Sequence, residues 1–142
     1  MTDVSEARKM LINIRKNYRN GSALQFGVQR KSDQALIGTC TLHNLHLSSK
    51  RAEIGYALGR TYWRQGYMRE ALTILINYAF KSLGLNRLEA DIDPRNAASE
   101  KLLERLGFQK EGYLRQRWIV DGEVSDSVIY GLLRSDWRNL PV

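Results

Sequence analysis

The spacing of hydrophobic residues changes along the chain between the helical period and the alternation that is typical of strands. Residues 5–20 carry apolar side chains at helical spacing, with Ser5 as a cap and Gly21 as a stop. Alternating segments then predict three strands, over residues 23–30, 35–43 and 51–58. The first part of the chain is therefore predicted to be a helix followed by three strands.

The second part of the chain repeats this change of period. A wide apolar stripe at helical spacing follows Gly66 and ends at Gly84, which predicts a long helix. Leu88, Ala90 and Ile92 alternate as in a strand, and Pro94 stops that strand. The remaining elements are a short helix from Asn96 through Leu106 and two strands, about 112–120 and 124–133, joined by Asp121-Gly122. The order predicts an α/β (α+β) fold with a mixed sheet.

Length and composition indicate one domain that spans residues 1–142. The chain is 43% apolar and 26% charged, which is ordinary for a globular protein. No apolar run approaches the ~20 residues of a membrane span, and the N-terminal MTDVSEARKM lacks the apolar core of a signal peptide. The single cysteine, Cys40, excludes an internal disulfide framework. We therefore expect a cytoplasmic protein without a membrane partner.

The net charge of +7 is unevenly distributed. Residues 1–50 carry eight Lys and Arg against three Asp and Glu, so most of the excess lies in the first third. A basic surface formed by this segment can bind nucleic acid, a ribosome or a phosphorylated cofactor, or it can simply be a solvated helix face. Because no nucleic-acid motif or aromatic-basic platform accompanies the charge, direct nucleic-acid binding is not expected.

The segment YWRQGYMREAL, residues 62–72, places Gly66 between two arginines where a helix is predicted to begin. Helix starts expose unpaired backbone N–H groups and the positive end of the helix dipole, so they bind anions. A glycine lets an anion approach the backbone closely. The alternative is a tight turn with solvated arginines, because the common phosphate-loop glycine patterns are absent from the chain.

Three motifs follow one another in a specific order. They are IGYAL, then W-x-x-G-Y-M-x-E-A-L, then DIDPRNAASEKLLERLGF with its N-x-x-S and L-G-F. Together they resemble the GNAT superfamily of acetyl-CoA-dependent N-acetyltransferases, most closely the branch that includes the ribosomal-protein-alanine N-acetyltransferases, over residues 5–137. The resemblance implies a mixed, mostly antiparallel sheet flanked by helices, and direct acetyl transfer from acetyl-CoA to a primary amine in a ternary complex. It also implies that the family's first strand and helix are missing here.

The resemblance assigns a coenzyme site. The pyrophosphate would bind the backbone of the strand-to-helix loop, which is Arg64, Gln65, Gly66, Tyr67, Met68 and Arg69. The pantetheine arm would bind the backbone of Tyr56, Ala57 and Leu58, with Asn96 nearby. The family pattern of this loop is Q/R-x-x-G-x-G/A, from which Trp63 and Met68 depart, so no side-chain role is expected at those two positions. Asn96 can equally be a helix cap.

The resemblance also assigns catalytic residues. Glu53 looks like the family's general base, and an attacking amine must lose a proton during transfer. Otherwise Glu53 is an exposed strand residue or pairs with a nearby arginine. Many family members use a tyrosine seven residues after the asparagine as the acid to the leaving thiolate, but this chain has Leu103 there. In the branch that includes the ribosomal-protein-alanine N-acetyltransferases, a serine at the position of Ser99 is frequent, and its hydroxyl could donate to the thiolate instead. Otherwise Ser99 is an ordinary serine in the first turn of a helix.

Other chemically suggestive residues carry weaker signals. His43 and His46 have no accompanying ligand cluster, so no metal is expected. Cys40 is expected to be a small buried strand residue, since direct transfer needs no acyl-enzyme. Trp118 and Tyr113 either line an acceptor pocket or pack on the sheet.

The acceptor amine is only partly constrained. Deprotonating an α-amine at neutral pH costs roughly 1 kcal/mol, against about 4–5 kcal/mol for a lysine, so a single carboxylate base favours a protein or peptide N-terminus, such as that of a ribosomal protein. Polyamines, aminoglycosides and amino acids remain open, although the basic N-terminal segment argues mildly against a strongly cationic acceptor. Two other functions also remain: a non-catalytic acyl-CoA-binding relative, and a basic domain that associates with ribosomes or nucleic acid.

Overall fold

A single seven-stranded sheet organises the protein, and the computed structural model describes residues 11–15 and 23–138 of the chain. The spatial order of the strands is β1-β2-β3-β4-β5-β7-β6. Neighbouring strands are antiparallel except β4 and β5. The strands are β1 (Leu11–Arg15), β2 (Leu24–Gln29), β3 (Leu36–His46), β4 (Arg51–Leu58), β5 (Arg87–Ile92), β6 (Gln109–Val120) and β7 (Glu123–Leu133). The predicted mixed, mostly antiparallel sheet is confirmed.

Two helices pack on the face of the sheet that carries the apolar strand residues. Helix α1 (Tyr67–Asn77) continues into a π-helical turn over Tyr78–Ser82, and α2 is Ala97–Arg105. The apolar stripe predicted for α1 is buried against the sheet, and its members are Ala71, Leu72, Leu75, Ile76, Ala79 and Phe80. Both helices and the inward-facing residues of β2 to β5 and β7 form one hydrophobic core. The dense burial on this face fixes where each helix begins and ends over the sheet.

Local sequence signals correctly located one helix cap and one hairpin turn. The Asn96 side-chain oxygen accepts a hydrogen bond from the Ser99 backbone N–H at 3.1 Å, which confirms the predicted helix cap. Asp121 and Gly122 both have positive φ angles, 51° and 78°, as a tight β-hairpin turn requires. These features depend on near neighbours in the chain, so sequence reasoning was sufficient for them.

The helix predicted over residues 5–20 is wrong where the structure describes it. Residues 11–15 form the edge strand β1, which pairs antiparallel with β2 from Leu11↔Val28 to Arg15↔Gln25, and the rest of the predicted helix lies outside the described residues. Short apolar runs do not distinguish the two periods well, and pairing with β2 satisfies the backbone of this segment. The prediction of a missing first strand depended on that helix, and it loses this basis.

None of the helices in the described part of the chain is both long enough and apolar enough to cross a membrane. The longest is α1, with 11 residues.

Candidate active site

An opening between two strands lies at the centre of the sheet. Strands β4 and β5 pair only at their beginnings, and the last paired residues are Glu53 and Glu89. Beyond this point β4 continues to Leu58 and β5 to Ile92 without further pairing to each other. Unpaired strand edges offer backbone donors and acceptors to an extended ligand. The two strands therefore separate where the sequence predicted a pantetheine site.

The start of α1 lies just beyond the end of β4. Gly66 occupies the N-cap position with φ 82°, and no side chain caps the helix. The first backbone hydrogen bond of the helix runs from the Glu70 N–H to the Gly66 carbonyl at 3.1 Å, so the N–H groups of residues 66–69 have no partner within the helix. A Cβ added to Gly66 would meet no atom within 4 Å. This open, donor-rich helix end fits an anionic group such as a pyrophosphate.

Trp63 has a structural role that the sequence did not reveal. Its indole Nε1–H donates a hydrogen bond of 2.8 Å to the Leu58 carbonyl, so it fastens the loop to the end of β4. Within the loop, Gln65 donates through Nε2 to the Thr61 carbonyl at 3.0 Å, and Arg64 adopts φ 63°. The Trp63 contact leaves the Leu58 N–H as that residue's remaining backbone group for a ligand.

The residues of this loop and of β4 that were predicted to bind the coenzyme point in different directions. Met68 is buried in the core, which explains how a large residue replaces the family's small one without filling the anion site. Tyr56 lies on the helix-facing side of β4, in register with Cys40. Ala57 pairs with Thr39 of β3, and two residues later the Gly59 N–H donates to the Ile37 carbonyl. Because backbone groups along a strand point alternately to its two neighbours, the backbone of Ala57 also points toward β3. Its contact with a coenzyme stays a prediction.

The first turn of α2 lies on the same side of the sheet as the Tyr56 side chain. The cap uses the Oδ1 oxygen of Asn96 and leaves its Nδ2 donor for another partner. Ser99 is partly buried in this turn. Leu103, where many family members have a tyrosine, is fully buried in the core. The position that usually supplies an acid therefore contributes only packing in this protein.

Glu53 projects from the opposite face of the sheet, because its neighbours Ala52 and Ile54 are buried on the helix side. Asn44 donates a hydrogen bond from Nδ2 to Glu53 Oε2 at 2.6 Å. His43 Nε2 lies 3.7 Å from Glu53 Oε1. Among the described residues these are its polar partners, so the alternative of an arginine pair finds no support there. Glu53 is held in place at the point where the strands separate.

A cavity of about 350 Å³ opens next to Glu53 on this face. Its lining contains four carboxylates, which come from β4, from β5 and the residue after it, and from β7, together with one arginine, one histidine and one indole. The lining residues are His43, Asn44, Glu53, Asp91, Asp93, Arg117, Trp118, Ser125 and Asp126. The cavity is thus acidic although the whole chain is basic, so the net charge does not describe the surface next to Glu53.

Hydrogen bonds keep the carboxylates of the cavity in fixed positions. Arg95 binds Asp93 and lowers its pKa to about 2. Tyr113 and the Gln116 N–H both donate to Asp126, and they lower the pKa of that carboxyl. Trp118 Nε1–H donates to Ser127 Oγ at 2.8 Å and lies 3.3 Å from Asp91 Oδ2. The lowered pKa values keep Asp93 and Asp126 ionised near neutral pH, which favours a positively charged ligand.

Sequence reasoning missed most of this cavity. Of its lining, it singled out Glu53 and, as alternatives, His43 and Trp118. Asp91 and Asp93 carried a usable signal, because residues two apart at the end of a strand project to the same face. Asn44 carried none, since it meets Glu53 only through the pairing of β3 with β4. Arg117 and Asp126 carried none either, since they join the cavity only through the pairing of β5, β6 and β7.

Comparison with known proteins identifies the kind of protein that has this site. The family described as acetyltransferase (GNAT) domain matches residues 1–109 of this chain. This protein belongs to the GNAT acetyltransferase family. An uncharacterized N-acetyltransferase p20 from Bacillus licheniformis is 43% identical over 136 residues, which is 96% of this chain and 76% of the relative. The [ribosomal protein uS5]-alanine N-acetyltransferase of Escherichia coli is 35% identical over 133 residues, 93% of this chain and 68% of the relative.

Solved structures agree with this assignment. The structure of Mycobacterium smegmatis RimJ in complex with CoA-disulfide has a TM-score of 0.77 and 28% identity, and the match covers 86% of this chain and 58% of that one. This chain is therefore an acetyltransferase by family and by fold. The GNAT family uses acetyl-CoA. In this chain the open helix end at Gly66 suits an anionic group, and the opening between β4 and β5 suits an extended one.

Cys40 provides a test of how the acetyl group moves in this GNAT chain. Its side chain is fully buried, and burial raises the pKa of the thiol to about 12. We expect no reaction with a thiol reagent at pH 8 in the native protein and complete labelling in denaturant. We also expect Cys40→Ala to retain acetyl transfer, because direct attack needs no acyl-enzyme. Loss of activity in a folded Cys40→Ala variant, together with acetyl labelling of Cys40 in the wild type, would contradict direct transfer.

Proposed function

We propose that this protein transfers the acetyl group of acetyl-CoA directly to the α-amino group of a protein or peptide N-terminus. The observation that carries the proposal is the opening between β4 and β5, with the anion-binding start of α1 on one side and Glu53 on the other. A co-substrate bound at the helix end can reach through this opening. Its reactive carbonyl would then meet an acceptor from the Glu53 face. A cytoplasmic location stays a prediction.

The residues of the chain divide the chemistry between the two faces of the sheet. The free N–H groups at the start of α1 bind the pyrophosphate, and Arg64 and Arg69 add positive charge there. The unpaired edge of β4 holds the pantetheine arm. Bound acetyl-CoA supplies a thioester whose thiolate is the leaving group. Glu53 takes the proton that the amine loses, directly or through a water, and Asn44 keeps the carboxylate oriented toward the opening.

The acidic cavity and the physics of the amine both support an N-terminal acceptor. A peptide N-terminus arrives as a cation, and the carboxylates that line the cavity attract it. Its pKa of ~7.7–8.0 leaves a useful free-base fraction at neutral pH. The Escherichia coli relative acts, by its name, on the alanine of ribosomal protein uS5. A polyamine is the second candidate, because four carboxylates around one cavity also suit an acceptor with several positive charges.

A panel of acceptors distinguishes these possibilities. We expect kcat/KM at pH 7 for a peptide with a free alanine N-terminus to exceed that for the same peptide with a blocked N-terminus and one lysine by about 100-fold or more, following the free-base fractions. Initial rates of coenzyme A release would be measured for both peptides and for spermidine. Higher kcat/KM for spermidine or for the lysine peptide would overturn the α-amine assignment and leave acetyl transfer itself in place.

The two other functions predict different measurements. A non-catalytic relative binds acetyl-CoA in calorimetry but releases no coenzyme A with any amine in the panel. A ribosome- or nucleic-acid-associating domain binds RNA with an affinity that falls steeply as salt increases. The proposal requires both acetyl-CoA binding and turnover.

A further inference from the structure

The hydroxyl of Tyr56 is a buried polar group without a partner. Among the buried side-chain polar atoms that the structure describes, it stands out as having no hydrogen bond. Burial raises the pKa of this tyrosine and a hydrogen-bonding contact with Ser99 lowers it, but the two hydroxyls do not have the geometry of an ordinary hydrogen bond. Leaving a buried hydroxyl unpaired costs stability, so such groups call for an explanation.

The position of this hydroxyl gives the explanation. Tyr56 lies three residues beyond Glu53, on the part of β4 that no longer pairs with β5. Its ring packs against the core on the helix side, and its hydroxyl approaches the first turn of α2. The opening, the end of β4 and the start of α2 therefore converge at one unsatisfied donor. The position seven residues after Asn96 supplies no hydrogen-bond donor, because it is occupied by the buried Leu103.

We propose that the Tyr56 hydroxyl is a catalytic residue that donates a hydrogen bond to the sulfur of the leaving thiolate. This inference rests on the proposed acetyl transfer. The amine nitrogen forms a bond to the acetyl carbon, the carbon–sulfur bond breaks with its electron pair going to sulfur, and the amine proton goes to Glu53. The tyrosine keeps its own proton, since a thiol has an ordinary pKa of about 8.5 and a tyrosine about 10. The thiolate later takes a proton from water.

Burial suits Tyr56 to this task. Desolvation raises the pKa of Tyr56, so the phenol stays protonated and remains a donor through the working pH range. A donor that is already in place needs little reorganisation when negative charge develops on the sulfur. Ser99 can then orient the phenol or share the sulfur as a second donor.

The test uses Tyr56→Phe, with Tyr130→Phe as the matched control. Tyr130 is a buried tyrosine on the same face of the sheet, but its hydroxyl already donates to Glu104 at 3.3 Å. We expect Tyr56→Phe to lower kcat by about 10- to 100-fold, the effect of losing a hydrogen bond to a charged group, and to leave acetyl-CoA affinity unchanged. We also expect its melting temperature to equal or exceed that of the wild type, because the change removes an unpaired buried hydroxyl.

A second measurement needs no acceptor amine. The thiol of bound coenzyme A is titrated by its ultraviolet thiolate absorbance, in the wild type and in both variants. A donor to sulfur stabilises the thiolate, so the pKa of the bound thiol should be about 1–2 units lower in the wild type and in Tyr130→Phe than in Tyr56→Phe.

The outcomes separate the inference from the function beneath it. Wild-type protein that binds acetyl-CoA and turns over, with Tyr56→Phe equal to it in kcat and in thiol pKa, overturns the role of Tyr56 and leaves acetyl transfer standing. The same result combined with a 10-fold or greater loss in Ser99→Ala assigns the donor to Ser99 instead. Wild-type protein without turnover, but with a thiol pKa that depends on Tyr56, supports the contact and overturns the proposed function.

Discussion

Replacing Glu53 with glutamine is expected to lower kcat/KM for amine acetylation by about 10²- to 10⁴-fold, the usual contribution of a positioned general base. The amide keeps the shape of the side chain and can still contact Asn44, but it cannot take the proton from the attacking amine. Acetyl-CoA affinity should be unchanged, because Glu53 projects from the face of the sheet opposite α1. The remaining activity should rise with pH up to the pKa of the acceptor, about 8 for an α-amine, since only the free base then reacts.

Glu89→Gln is the matched control for this change. Glu89 lies directly across from Glu53 in the last pair of β4 and β5, and its carboxylate binds Arg87 at 2.8 Å. The two variants lose the same charge from neighbouring positions in the sheet. If both lose activity equally, the effect is one of local charge and Glu53 is not the base. Full activity in Glu53→Gln would move the proton acceptor elsewhere in the cavity, with Asp91 as the next candidate.

Changing Gly66 to aspartate is expected to raise the Kd for acetyl-CoA by at least about 100-fold, or roughly 2.7 kcal/mol. The new carboxylate would lie over the free N–H groups at the start of α1, where it competes with the pyrophosphate and repels it. The fold has room for the side chain, since a Cβ at Gly66 meets no atom within 4 Å, although the φ of 82° makes a side chain there strained. The loss should therefore appear in calorimetry with acetyl-CoA and with coenzyme A, while the circular dichroism spectrum stays the same.

Gly84→Asp separates the anion effect from backbone strain. Gly84 follows the π-helical turn at the other end of the same helical segment, has φ 67°, and also leaves a Cβ in open space. The substitution therefore adds the same charge and a similar left-handed strain away from the proposed site. Gly66→Ala adds strain without charge, and we expect it to weaken binding less than Gly66→Asp does. Equal acetyl-CoA affinity in Gly66→Asp and in the wild type would remove the loop from the coenzyme site.

Together these two changes test the two sides of the opening independently. A protein with an intact helix end and no base should bind acetyl-CoA without efficient turnover. A protein with an intact base and a blocked helix end should do neither at ordinary coenzyme concentrations. If Gly66→Asp and Glu53→Gln both lose binding and both unfold at lower temperature, a general loss of structure would be the simpler explanation.

The sequence by itself determined the features that depend on near neighbours. The alternation of residues 51–58 located β4 with its observed bounds, Asn96 located the start of α2, and Gly66 located the start of α1. The order of the three motifs indicated the family that the comparison later established. In each case the information lies within a few residues, because caps, turns and strand alternation are local properties of the backbone.

Only the tertiary structure decided what distant segments do to one another. It made residues 11–15 a strand, because the edge of β2 was available for pairing. It brought Asp91 and Asp126 into one cavity with Glu53, and it left the hydroxyl of Tyr56 buried without a partner. Hydrogen-bond partners across a sheet are chosen by register between segments far apart in the chain, and no local period encodes that register. The complete lining of the acidic cavity and the unpartnered hydroxyl of Tyr56 therefore follow from the fold.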